Sequence, residues 1–478
     1  MNDFSHGILS ALSRHRIGTA LVLSNILFGA AGLFLSLAGV LPLGPGNFLF
    51  FSILILLVSL YRPVWIFLLL VGMLPYEIVN LAPVEFGISL RPYQWLTLIL
   101  FLAVGIRSLV GRPLFPPFRF MWTDSLPILF SLGAYFAVIG SAFPGLSVRL
   151  ALILSSFVGL FFLIRFFVRT EKAAVNLLPF LISSFLVVAF WAIAQNILFA
   201  FGKESFQIMA GRPNGTFPES DWLGMYLLFP IAFSLAWLYR NEVLRKGWRS
   251  TVFPFGIFFL GTLVLFLSMT RSAWLGLVGM GIFFIGITLI TFLKLGEPKR
   301  AFLLLGKTGL IMCLALIAIP TLHLSRFSLF DRAISTGGIQ KITIACLEAG
   351  RAPERVRNVE ELPALGCRHI LLEEQEVFRA SGYVVEEIGR DDPNVSLRKS
   401  VYERAVSMAW EHPLRGIGWG AVGMRLGTDE HGSALNASNM FLEFWLGSGF
   451  LGLLAFVILW FAFGFQSGRV ALSGGGSE

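Results

Sequence analysis

VFPFGIFFLGTLVLFLSMTRSAWLGLVGMGIFFIGITLITFL, from Val252 to Leu293, contains one charged residue, Arg271, near its middle. The apolar run on each side is about 20 residues long, which is what a helix needs to cross a hydrocarbon core of roughly 30 Å. Hydrocarbon offers a free backbone amide no partner, and no alternating barrel pattern is present. Two membrane-spanning helices meeting at Arg271 are therefore predicted.

The same kind of run recurs along the chain. Spans are expected near 18–41, 47–61, 63–79, 91–110, 124–143, 147–168, 175–201, 222–240, 251–269, 272–295, 302–322 and 440–465. The second and third meet at Tyr61-Arg62-Pro63, where proline is a natural start for a new helix, so the two also read as one broken helix. A content of 56% hydrophobic and 14% charged residues over 478 positions, with mean hydropathy +0.77, excludes an ordinary soluble domain. The fold class is an all-α polytopic membrane protein of about 12 transmembrane helices.

Orientation follows from the loops. About eighteen Lys and Arg residues fall on one side, from Arg14 and Arg16 through Arg62, Arg107 and Arg112 to Arg469. The short loops of the other side hold Arg91, Arg149, Lys203, Arg212 and Arg271. Both termini are then cytoplasmic and the second side lies outside the cytoplasmic membrane. The start, MNDFSHGILSALSRHR, is too polar for a cleaved signal peptide, so the first span directs insertion. The net charge of +9 is a topology signal and not a nucleic-acid footprint, because the long segment 323–440 has 14 basic and 16 acidic residues.

The domain reading is 1–322 for spans 1–11, 323–439 for a large periplasmic loop, 440–469 for the last span and a cytoplasmic tail, and 470–478 for an appended tail ending GGGSE. Within the loop, 341–389 alternates like a small α/β unit. KITIACLE (341–348), RHILLEE (368–374) and YVVEEIG (383–389) read as strands, and VRNVEELPALG (356–366) and EQEVFRASG (374–382) as helices. Cys346 and Cys367 fall here, either as a disulfide or as two buried thiols, while Cys313 lies in a span. No metal-type spacing of Cys and His occurs, so a zinc site is not expected.

Three stretches on the periplasmic side carry chemistry. GRPNGTFPESDWLGMYL (211–227) places Arg212 among turn formers; the alternative is a charge solvated at the lipid surface. SMTRSAWLGL (268–277) places Arg271 at the hydrocarbon boundary, where it costs a few kcal/mol unless it is paired, lines a polar cavity or snorkels. Two guanidinium forks on one side suit a diphosphate, since they match phosphate geometry and keep their charge. The third, 396–420, starts a helix at Asp392-Pro393-Asn394 with an apolar face of Val401, Ala405, Met408 and Ala409, ends it at His412-Pro413, and continues through GIGWG. The region 394–439 is thus a helix and a Gly-rich loop leading to SNMFLEFWLGSGFLG.

HPLRGIGWG followed by SNMFLEFWLGSGFLG resembles the signature of the O-antigen ligase and O-antigen (exopolysaccharide) polymerase superfamily of bacterial membrane glycosyltransferases. Arg398, 15 residues before Pro413, fits the pattern, and the Arg212 and Arg271 stretches look like its two other markers. The resemblance covers roughly Arg212 to Leu454. It implies a GT-C-like fold and a metal-independent transferase with no cofactor, which takes glycan from an undecaprenyl-diphosphate-linked donor with inversion at the anomeric carbon. The acceptor is a glycan or glycolipid: another lipid-linked repeat unit for a polymerase, lipid A core for a ligase. Arg212 and Arg271 would bind the diphosphate and stabilise the leaving group. Arg398, Asn439, Ser438, Glu443 and His412 would shape the acceptor side.

One position departs from the pattern. The family's usual histidine stands where this chain has Ser438, and a serine cannot act unaided as a general base. Either a neighbour among His431, Glu443, Asp429 and Glu430 replaces it, or diphosphate departure leads and no dedicated base is needed. His431 is the best substitute because imidazole titrates near neutrality; the alternative is an ordinary loop histidine. His412, at a helix end before Pro413, also reads as a capping or packing residue, and Asn439 as a helix cap. The departure favours a polymerase over a ligase. A lipid-linked oligosaccharide transporter is the reading from another class, although internal repeats and mid-span acids are not evident.

Overall fold

The computed structural model describes residues 15–116, 119–325, 329, 339–347, 353–357, 359–370, 374–391, 393–428, 434–437 and 439–472. In chain order the helices begin with α1 (His15–Leu37), α2 (Pro45–Tyr61), α3 (Pro63–Met73), α4 (Pro92–Leu109), α5 (Ser125–Val138) and α6 (Pro144–Phe167). There follow α7 (Glu171–Val175), α8 (Leu178–Ala200), α9 (Ser220–Val243), α10 (Arg249–Leu267), α11 (Arg271–Lys294) and α12 (Pro298–Thr321). The chain continues through β1 (Ile339–Cys346), β2 (Arg355–Val356), β3 (Cys367–His369), α13 (Gln375–Ala380), β4 (Val384–Asp391), α14 (Pro393–Glu411), α15 (Trp419–Leu426) and α16 (Met440–Leu472).

Among the described residues nine helices are long and apolar enough to cross a membrane, so the chain is a polytopic membrane protein. The Val252–Leu293 stretch forms two of them, α10 and α11, which part at Ser268–Thr270. The spans expected at 47–61, 63–79 and 124–143 are α2, α3 and α5, of 17, 11 and 14 residues. Eleven residues of helix reach only about 17 Å, so α3 does not span by itself. Pro63 does start a new helix, with Arg62 the single residue between α2 and α3.

Two compact units divide the chain: Met1–Pro117 with Leu163–Arg332, and Phe118–Phe162 with Ala333–Glu478. The core of the first is apolar packing of α8, α9, α10 and α11, including Phe185, Val188, Leu223, Leu227, Ile231, Phe258, Val264 and Leu277. A polar knot ties α1 to α8 within it. The Asn25 amide donates to the Ser183 and Ser184 hydroxyls at 2.8 and 3.0 Å, and Ser184 donates to the Gly72 carbonyl of α3 at 2.5 Å. In lipid such bonds hold helices together where apolar contact alone gives no preference over acyl chains.

In the second unit α5 lies against α16 at Gly133, where a Cβ would come within 2.6 Å of the Ser448 carbonyl. The apolar face of α14 is buried as expected, Val401, Ala405, Met408 and Ala409 packing with Ile417, Val422, Leu426 and Leu446. The α/β segment forms a sheet of order β2-β4-β1-β3, with β1 antiparallel to both neighbours and β2 parallel to β4. Cys346 and Cys367 face each other in the β1–β3 register and form a disulfide; Cys313 is free and exposed. The helix expected over 356–366 is not formed. β2 ends at Val356, and two 3-10 turns follow at Val359–Glu361 and Pro363–Leu365, because Pro363 has no amide hydrogen for a continuing helix. The strand expected over 368–374 is shorter, ending at His369.

Candidate functional site

Arg212 sits in a loop braced from below by two amides of α8. Gln195 Oε1 accepts from the Gly215 amide at 2.8 Å, and its Nε2 donates to the Phe206 carbonyl at 3.1 Å. Asn196 Oδ1 accepts from Gln207 at 2.7 Å, and Gln207 Oε1 in turn accepts from the Gly211 amide at 2.8 Å. Asn214 closes the turn onto the Phe217 carbonyl at 2.6 Å, and the Thr216 hydroxyl donates to Pro75 at 2.5 Å. Asn214 and Thr216 are buried, so each polar group needs the partner it has. The loop is a fixed platform rather than a solvated excursion.

On that platform the Arg212 guanidinium is aimed by three contacts. Its Nε donates to the Ser268 carbonyl at 3.3 Å, one Nη to Asp221 Oδ1 at 2.9 Å and the other to Met209 Sδ at 3.4 Å. Its side chain is 17% exposed, that of Asp221 59%. The Thr270 hydroxyl lies 3.1 Å from both Asp221 Oδ1 and the Ser220 carbonyl, which share its one proton, and Thr270 is the N-cap of α11. Arg271 follows as the first residue of α11, half-buried. The two arginines of the sequence reading are therefore anchored to one short segment, Ser268–Thr270. This brings two cations to one end of the bundle, with one carboxylate between their supports.

In the second unit the GIGWG loop meets a broken helix. α16 is interrupted at Gly449, whose φ of 64° and ψ of −172° are open only to glycine. The break separates Leu446 O from Phe450 N, which an unbroken helix would bond. Instead Leu446 O accepts from Ile417 and Gly418 at 2.8 and 3.1 Å, and Phe450 N donates to Leu414 O at 3.0 Å. The loop thus satisfies the backbone that the break exposes, as a helix broken within a membrane requires. Gly416, at φ 70°, lies so close that a Cβ would meet Leu446 O at 2.5 Å. Trp419 and Trp445 pin the junction, donating to Ser448 Oγ and Pro413 O, each at 2.8 Å.

Asn439 caps α16: its Oδ1 accepts from Phe441 and Leu442 at 3.0 and 3.2 Å. Glu443, one turn on, accepts from the Ala437 amide and so folds the approach to the helix over its first turn. His412 ends α14, its carbonyl accepting from Gly416 at 2.9 Å. Arg398 is exposed near the start of α14, 14 residues and so about 21 Å along the helix from His412; the structure does not bring those two together. His431 and Ser438, with Asp429 and Glu430, lie outside the described residues.

The sequence reading passed over Gln195, Asn196 and Asp221. The signal was present: Gln195-Asn196 is the only amide pair inside the apolar run 175–201, and Asp221 stands directly before the span expected at 222–240. Gly449 was quoted within a motif but not read as a helix break.

The model of the O-antigen ligase family matches residues 256–457, which take in Arg271, the GIGWG loop and most of α16. The match bears out the resemblance drawn from the sequence. No curated protein and no solved structure matches the chain.

Proposed function

We propose, from the match of residues 256–457 to the O-antigen ligase family model, which supports ligase or polymerase-type activity, that the chain is an inverting glycosyltransferase using an undecaprenyl-diphosphate-linked donor. The observation that carries this reading is the pair Arg212 and Arg271, both anchored at Ser268–Thr270 on the side expected to be periplasmic. In such a transfer the glycan moves to the acceptor and the lipid diphosphate is the leaving group, and positioned guanidinium groups stabilise the charge that grows on the oxygen it carries away. An acceptor hydroxyl attacks the anomeric carbon as the bond to the diphosphate oxygen breaks. Its proton leaves to a group of the 429–443 stretch, His431 foremost, with Glu443, Asp429 and Glu430 the other candidates, or to water where diphosphate departure leads and no dedicated base is needed.

On the acceptor side, Asn439, Ser438, Arg398 and His412 belong to the stretch that would orient a glycan. Of the two products, a polymerised O-antigen or exopolysaccharide is the first choice, because the family's histidine is replaced by Ser438. Ligation to lipid A core is the second.

The test uses purified protein in detergent with a synthetic undecaprenyl-diphosphate oligosaccharide. A ladder of lengthened glycans establishes the polymerase. Consumption only after lipid A core is added establishes the ligase. An intact donor under both conditions, with wild-type protein folded, rejects the transferase reading and leaves transport to be measured.

A further inference from the structure

Away from these residues, in the first unit, a cavity of about 330 Å³ lies where α2 ends, α3 begins and α4 runs out. Arg62, Arg107 and Arg112 line it, with Tyr61, Trp65 and Leu114. No acidic residue is among the lining residues. Arg62 stands between two apolar helices, its guanidinium carbon 4.8 Å from the Tyr61 ring centroid and 5.7 Å from that of Trp65. Arg107 spends one Nη on the Leu60 carbonyl at 2.6 Å. The Nε atoms of both Arg62 and Arg107 are buried without a hydrogen-bond partner. Three guanidinium groups therefore converge with most of their donors unused. A cluster of like charge with buried, unpaired donors is costly unless an anion completes it.

We propose that this cavity binds a phosphate group, supplied in the membrane by the headgroup of an anionic phospholipid. The guanidinium donors match phosphate oxygens, and the chemistry is that of basic pockets between transmembrane helices which hold anionic headgroups. The aromatic residues fit the lipid source, since Trp and Tyr favour the headgroup level and Tyr61 and Trp65 are 74% and 37% exposed. The site lies on the Lys- and Arg-rich side of the sequence, opposite to the expected side of Arg212 and Arg271, so it is distinct from the donor site. Its occupant would fasten the α2–α3 break to the end of α4.

The experiment is lipid binding by native mass spectrometry on the delipidated full chain, titrated in turn with phosphatidylglycerol, phosphatidylethanolamine and inorganic phosphate. Wild type should retain phosphatidylglycerol in preference to phosphatidylethanolamine. The double variant Arg62→Gln/Arg107→Gln should lose about thirtyfold in that affinity, while Lys294→Gln/Lys299→Gln, with the same loss of charge elsewhere, should not. If the double variant does not fold, the exposed Arg112→Gln alone should cost about fivefold. Binding of inorganic phosphate at equal strength would assign the anion to solution rather than lipid. Equal retention of both lipids by wild type and variants would overturn the proposal.

Discussion

Arg212 and Asp221 form an ion pair at 2.9 Å, and the same carboxylate oxygen shares with the Ser220 carbonyl the hydroxyl of Thr270, the residue before Arg271. Asp221 thus supports both arginines, one directly and one through the cap of α11. With a side chain more than half exposed, its ion pair adds little stability, and its expected role is to position the arginines. Asp221→Asn should leave the thermal midpoint within a degree or two and lower kcat/KM for the lipid-diphosphate donor about tenfold. Full activity in Asp221→Asn would remove the carboxylate from the site.

Arg271→Ala should cost a hundredfold or more in kcat, roughly the worth of one charge-stabilising donor. Arg271→Lys should recover only a small part of it, because an ammonium cannot make the forked contact of a guanidinium. Initial rates on the synthetic donor check this, and an active lysine variant would mean that Arg271 supplies charge alone.

Gly449→Ala puts a Cβ within 2.4 Å of the Leu414 carbonyl, at a backbone conformation closed to alanine. A loss of about 3 kcal/mol is expected, with the GIGWG loop released from α16. Thermal unfolding in detergent and protease sensitivity near Arg415 read it out; an unchanged midpoint would argue against the break.

Asn439→Ala removes a cap and should cost about 1 kcal/mol, whereas Asn439→Asp should restore the cap. Measuring glycan transfer in both separates the roles. If Asn439→Asp is stable yet inactive, the amide acts on substrate; if it is stable and active, capping is its whole contribution.

Thiol labelling under denaturing, non-reducing conditions should modify Cys313 alone, and reduction should raise the count to three. That outcome would also favour an oxidising compartment for the segment 339–391. Three labels without reduction would refute the disulfide.

Much of the architecture is written in local patterns. An apolar run long enough to cross a membrane has to become a helix wherever it sits, so Val252–Leu293 specified two helices and their meeting point without reference to the rest of the chain. The same held for Pro63 as a helix start and for the buried face of α14. Length was the weak point: α3 looked like a span because a hydropathy run continues through a turn that costs it nothing, and only backbone geometry shows the helix stopping. In the α/β segment, Pro363 was in view, yet the apolar spacing of 356–366 outweighed it.

The candidate residues were legible as residue types, two arginines in the first unit and, in the second, a glycine-rich loop before the last span. Their supports were not. Gln195, Asn196 and Asp221 are distant in sequence from what they hold, and whether an amide in an apolar helix faces lipid, a cavity or a loop depends on the packing around it. Gly449 is the clearest case. Its sequence neighbours read as uninterrupted helix, and the break exists because Leu414–Gly418 is there to take the two backbone groups it frees. The sequence alone determined that this chain is a bundle of membrane helices, because each helix satisfies its own backbone. Where a helix breaks, and which side chains aim an arginine, was decided by tertiary structure, because there the partners come from elsewhere in the chain.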